Sequence, residues 1–201
     1  MVLMSAAMVG MFFILTLYQQ QVQGYSAIQA GLAQVPLGVV LIGVAGTAGP
    51  LVERAGVKLT LTAGLALFAG GIAWLTQITA DGSYLATVLG PSLVIGAGLA
   101  LSFVALTVAS STGVEDDHHG VAGGLINMTQ QVGGAIGLAV ATAVVTSQTR
   151  GADPVSLTNG FRSALVVSAG IALAAIVGAG LTMPRAGRSE RVGATVATAS
   201  S

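Results

Sequence analysis

The segment GPLVERAGVKLT, Gly49–Thr60, places an acid and two bases, Glu53, Arg54 and Lys58, within six positions of a chain that is only 7% charged. The next charge along the chain is Asp81. Charges gathered in this way mark where a chain leaves a medium that ionised side chains cannot enter, since a charge at the centre of a bilayer costs about 3 kcal/mol or more. The composition agrees: 54% of the 201 residues are hydrophobic, the net charge is zero and the mean hydropathy is +0.88. A soluble domain carries roughly 25% charged residues with which to cover its surface. This chain has a membrane composition.

The charge-free intervals are therefore the candidate spans. No charged side chain occurs in 1–52, 59–80, 82–114, 120–149 or 163–184. A spanning helix needs about 20 apolar residues, so the first interval is too long for one span, and the polar run QQQVQGYS, Gln19–Ser26, divides it. The expected fold is all-α: a polytopic bundle over residues 1–184 with six spans, at about 2–18, 27–47, 59–77, 84–110, 121–147 and 163–183. Residues 185–201 are expected to form a disordered cytoplasmic tail. The opening MVLMSAAMVGMFFILTLYQQ has no base and stays apolar for a full membrane thickness, so it reads as a retained span and not a signal peptide. It starts without a cytoplasmic lead, so an artificial or truncated beginning is expected.

Local signals place the ends. Ser26 and Gln29 have capping-box spacing, Gly56 can turn the chain before the third span, and Gly82–Ser83 and GADPVSLTNG break it before the fourth and sixth. Pro36 and Pro91 each remove a backbone hydrogen bond and should kink their helices. With six spans both termini share a side, which collects Arg54, Lys58, Arg185, Arg188 and Arg191 against Arg150 and Arg162 opposite. The excess of bases makes that side cytoplasmic, and Tyr18, Tyr25, Trp74 and Tyr84 then fall near the outer interface, where aromatic rings are favoured. The expected location is the cell (inner) membrane.

GPLVERAGVK resembles the loop signature of the major facilitator superfamily, with Gly49, Glu53, Arg54, Gly56 and Lys58 at its positions, Glu in place of the usual Asp and Val57 where a first base is usual. That loop joins the second and third helices of a six-helix half. LYQQQVQGYSAIQAGLAQVPLG is similar to the first hairpin of the carboxy-terminal half of the fourteen-span drug:proton antiporter branch, and GGLINMTQQVGGAIGLAVA to its penultimate helix. The resemblance implies half of a transporter that exports amphipathic small molecules by rocking of two bundles about a midplane cavity. Its partners would be lipid, substrate and a second half. It gives Glu53 and Arg54 a gating role, in which the acid pairs with a base and a helix N-terminus in one conformation only. An ordinary loop salt bridge is the other reading of that pair.

In the fifth span Val121, Leu125, Met128, Val132 and Ile136 recur at helical steps as a bulky stripe. Gly120, Gly124, Asn127, Gln131, Gly134 and Ala141 recur on another side, suited to close approach. Asn127, Gln130 and Gln131 either staple helices together or contact a substrate cavity, and Gln19 and Gly134 join them as candidates. Gly170, Ala174 and Gly178 form a packing stripe on the sixth span. VEDDHH, Val114–His119, holds metal-ligand types, but consecutive residues rarely converge on one ion, and acids before a helix suit its dipole. No metal or cofactor is expected.

An enzyme is not expected. The histidines lie in a loop, no span holds an Asp, and there is no Gly-Lys-Ser phosphate signature. The absence of cysteine excludes disulfides and thiolate chemistry, and the balanced charge offers nothing to nucleic acid. No paired half-helices or carbonyl-rich filter mark a channel. Proton coupling normally needs a titratable group in the pathway, so any coupling residues would lie in a separate or missing half. The alternative is a non-transporting fragment or a six-span interaction subunit.

Overall fold

The computed structural model describes residues 1–111, 119–149, 151 and 153–182. Among these residues seven α-helices form six stretches long and apolar enough to cross a membrane: α1 Val2–Gln21, α2 Ala27–Ala33 with α3 Val35–Ala55, α4 Val57–Leu75, α5 Gly90–Ser111, α6 His119–Gln148 and α7 Pro154–Thr182.

The helices pack as two groups of three, with α3 and α4 on α5, and α6 and α7 on α1. Glycines set the closest approaches. Gly64 lies against Ser102, Gly98 against the Phe68 backbone and Gly71 against Ile95, so α4 and α5 run antiparallel in close contact. Gly133 lies against the Val2 backbone and Gly137 against that of Ala6, so α1 and α6 run parallel. Lipid tails supply no hydrophobic drive between helices, and this close packing takes its place.

The antiparallel pair α4 and α7 joins the groups. A cation seals each end. Lys58 Nζ donates to the Gly180 carbonyl at 2.9 Å, and Arg162 Nε donates to that of Thr76 at 2.9 Å. Both carbonyls lie at helix C-termini, where positive charge is favoured. Ile14, Phe68, Ile72, Ile95, Phe161 and Leu165 fill the core between the groups.

Both kink-forming prolines act. The second span breaks at Gln34, two residues before Pro36, which has no N–H to return to the Leu32 carbonyl. The fourth span opens with a π-helical turn, Leu85–Leu89, just before Pro91, a widened turn that makes room for the proline ring. The capping box forms: Gln29 N–H donates to Ser26 Oγ at 3.3 Å and Ser26 N–H to Gln29 Oε1 at 2.9 Å.

Several boundaries differ from the expected ones. The second span continues eight residues past Thr47, through Pro50, to Ala55. GADPVSLTNG breaks the chain only ahead of Pro154, nine residues before Ser163. Pro154 opens α7, and Asp153 Oδ2 accepts the Ser156 N–H at 2.9 Å. Proline is well placed in a first helical turn. At 29 residues α7 is about 43 Å long, more than the ~30 Å hydrocarbon core, so Arg162 in its third turn lies level with the end of α4.

The stripe of Gly170, Ala174 and Gly178 is not one packing face: Gly170 faces open space and Ala174 is exposed, while Gly178 borders a cavity beside α1 and α4. Ala164, Leu165, Ser168 and Ala172 carry the contact on the opposite side of α7. VEDDHH lies outside the described residues, apart from the backbone of His119. The expected tail, 185–201, also lies outside them.

Candidate functional site

The signature residues form a one-residue turn and not a loop. α3 carries Gly49, Glu53 and Arg54 and ends at Ala55, and α4 begins at Val57. Helix persists over Pro50 and the charges because Ala48 and Val52 are buried on its inner side, while Glu53 and Arg54 point outward and are exposed. No ion pair joins Glu53 to Arg54 among the described residues. Gly56 makes the turn at φ 83° and ψ 156°, a region essentially closed to residues with a Cβ. Its N–H donates to the Val52 carbonyl at 2.8 Å, and its carbonyl accepts from Thr60 N–H at 3.2 Å. Lys58 turns the other way, onto the end of α7.

The glycine of the signature thus has a backbone reason to be there. Gly56→Ala is expected to destabilise the bundle by about 1 kcal/mol or more, and Gly49→Ala, in open space within a helix, to leave it unchanged or slightly better. Thermal unfolding in detergent compares the two.

The cavity candidates do not converge. Gln19 is fully buried near the end of α1 opposite to Lys58. Gln130 is half-buried, with Nε2 at 4.0 Å from Met1 Sδ. Asn127 and Gln131 are exposed, and Gly134 is buried against Val9. The bulky stripe Leu125, Met128, Val132 and Ile136 faces outward. The close-approach side is not the expected one in the first half of α6, where Gly120 and Gly124 meet nothing. Contact follows Gly133, Gly137 and Ala141, because α1 begins level with Gly133 and the preceding turns of α6 project past it.

A polar hub at the far end was missed. Three carbonyls of the turn after α4 accept side-chain donors: Thr76 from Arg162, Thr79 from Tyr18 Oη at 2.7 Å, and Gly82 from Gln23 Nε2 at 3.0 Å. The donors come from α7, α1 and the residues after it, so the hub ties both groups together. Tyr18 is consequently buried instead of lying in an interfacial belt.

At the break in the second span Tyr84 Oη donates to the Ala33 carbonyl at 2.6 Å, and Gln34 Nε2 to Thr16 Oγ1 at 3.1 Å. Burial, with Tyr25 nearby, holds the Tyr84 phenol above its usual range. It remains a donor at any physiological pH. The signal available in sequence was Pro36 itself, which interrupts the helix and so leaves carbonyls of the preceding turn in need of donors.

Six apolar helices with their charges at the ends, joined through a one-residue signature turn, define a multi-pass membrane protein built as half of a transporter fold. The chain belongs to the Major Facilitator Superfamily, whose family profile matches residues 1–138. It is similar to the cephamycin export protein CmcT of Amycolatopsis lactamdurans, at 40% identity over 96% of this chain and 40% of that protein. It is also similar to the lincomycin resistance protein of Streptomyces lincolnensis, at 34% over 76% of this chain and 31% of the relative. The tetracenomycin C resistance and export protein of Streptomyces glaucescens is 33% identical over 74% of this chain and 27% of its own length. The chain thus spans two fifths or less of these relatives.

Proposed function

We propose that the chain serves as the carboxy-terminal six-helix half of a proton-coupled exporter of amphipathic small molecules, in the inner membrane with both termini cytoplasmic. The likeness to export and antibiotic-resistance proteins, over 74% to 96% of the chain, supports the class of activity. The observation that carries the division of labour is the placement of charge. Glu53, Arg54 and Lys58 lie at helix ends, and Arg162 lies level with one, so among the described residues no charged side chain lies at hydrocarbon depth to serve as a coupling group. Coupling residues then belong to the rest of the transporter. A residue that meets substrate between two halves is exposed in one half alone, which favours Asn127 and Gln131 over Gln19 for that role. Glu53 and Arg54, outward and without an ion pair to each other, would engage a second half as the gate.

Proteoliposomes test this directly. The isolated chain is expected to give no pH-driven efflux of a fluorescent amphipathic drug, and co-reconstitution with the remaining amino-terminal portion of a full-length relative is expected to give efflux. In that assembly Asn127→Leu and Gln131→Leu should lower it, and Glu53→Gln should impair turnover more than binding. Efflux by the chain alone would overturn the division of labour. Failure of every assembly to transport would overturn the transporter reading.

A further inference from the structure

Between the two helix groups, at the Lys58 end of the bundle, lies a cavity of about 340 Å³. That is large enough for a ligand. Leu3 and Met4 of α1, Leu61 and Leu65 of α4, Leu106 of α5 and Ala179 of α7 are among its walls, and every lining residue is apolar. Its side chains offer water no hydrogen bonds, and the polar groups at its wall are the Met1 α-amino group and the first N–H groups of α1, which have no side-chain cap. Leu3 is 43% exposed while Met4 is 1% exposed, so the wall runs from the bundle surface to its floor.

The rim is charged. Lys58 lies one turn before Leu61 on α4, and its ammonium rests on the carbonyl of Gly180, the residue after Ala179. Exposed Arg54 and Glu53 end the preceding helix at the same end of the bundle, so with Lys58 these three groups sum to one positive charge. An apolar slot with a cationic rim at a membrane interface matches one ligand form, a hydrocarbon chain attached to an anionic headgroup.

We propose that this cavity is a binding site for one acyl chain of an anionic phospholipid, whose headgroup is drawn by Lys58 and Arg54. The lipid wedges between the two three-helix groups at the end opposite the polar hub. The proposal needs only the bilayer and this chain, so it stands or falls separately from transport.

The full chain in phosphatidylcholine nanodiscs, doped with phosphatidylglycerol bearing a diazirine in one acyl chain, is photolysed and its peptides mapped. Adducts are expected to concentrate on Met4, Leu61, Leu65 and Leu106, above the exposed Val39, Ile42, Leu173 and Val177. The same diazirine on phosphatidylcholine should label the cavity about fivefold less, the ratio that ~1 kcal/mol per interfacial base gives. Lys58→Gln should erase that ratio and retain apolar labelling. Ala179→Leu should bring cavity labelling down to the exposed-residue level with the helical signal unchanged, and Leu106→Phe narrows the opposite wall should the first variant not fold. Labelling spread evenly over exposed residues, cavity labelling that survives both fillings, equal labelling by the two lipids, or a cavity free of label would overturn the proposal.

Discussion

Gly137→Leu is expected to abolish the folded bundle. A Cβ on residue 137 would fall on the backbone carbonyl of Ala6, and the helix cannot slide to relieve it, because Gly133 one turn earlier is pressed on Val2 and Gly10 of α1 meets the Gly137 carbonyl and Ala141. Overpacking a core costs about 1–3 kcal/mol where side chains can yield, and more where they cannot. Here the obstacle is backbone. Prying α1 from α6 forfeits the packing that holds helices together in lipid, in a fold whose net stability is about 5–15 kcal/mol. The variant should lose its monodisperse size-exclusion peak in detergent. Gly120→Leu and Gly124→Leu, on the same helix but in open space, should behave like the parent chain. Equal damage from all three would mean that α6 tolerates no bulk anywhere, and that the contact with α1 is not the reason.

The contrast between those glycines shows what could be read beforehand. Charge placement located six apolar stretches because the cost of burying an ion is large and local: Glu53, Arg54 and Lys58 needed no partner to reveal a boundary. Helix ends were less legible. Charge-free intervals mark the hydrocarbon, whereas hydrogen-bonded helix continues into water wherever no residue stops it, so α3 runs on to Ala55 and α7 starts at Pro154. The phase of a small-residue stripe was hidden for a different reason. Gly133 and Gly134 are adjacent, and which of them meets another helix backbone depends on where α1 lies, a fact absent from the periodicity of α6.

The site divides in the same way. The position of Gly56 could be read from its residue type, since a positive φ needs glycine. The partner of Lys58, 122 residues further on, could not. Nor could the hub, because a backbone carbonyl leaves no trace in residue identity and only its donors, Tyr18, Gln23 and Arg162, are visible as types.

Gln19→Leu is expected to stabilise the chain, a sign opposite to that of most buried substitutions. Gln19 is 0% exposed, and neither Nε2 nor Oε1 has a hydrogen-bond partner. A buried amide left unpaired costs about 1–3 kcal/mol, while a leucine of similar length keeps the packing and removes both polar atoms. The melting temperature of the purified chain should rise accordingly. Gln23→Leu supplies the contrast, because Gln23 Nε2 donates to the Gly82 carbonyl while only its Oε1 is buried without a partner, so losing a bond worth about 0.5–1.5 kcal/mol should offset the gain and leave no comparable rise. A fall with Gln19→Leu would instead mean that the amide is paired through ordered water. The register Val2 to Gly133 and Ala6 to Gly137 puts Gln19 level with the end of α6, where the Thr149 hydroxyl is also buried without a partner. If the variant is more stable yet slows efflux in an assembled transporter, then the unpaired amide is a cost retained for function, and Gln19 acts from within the half instead of from its open face.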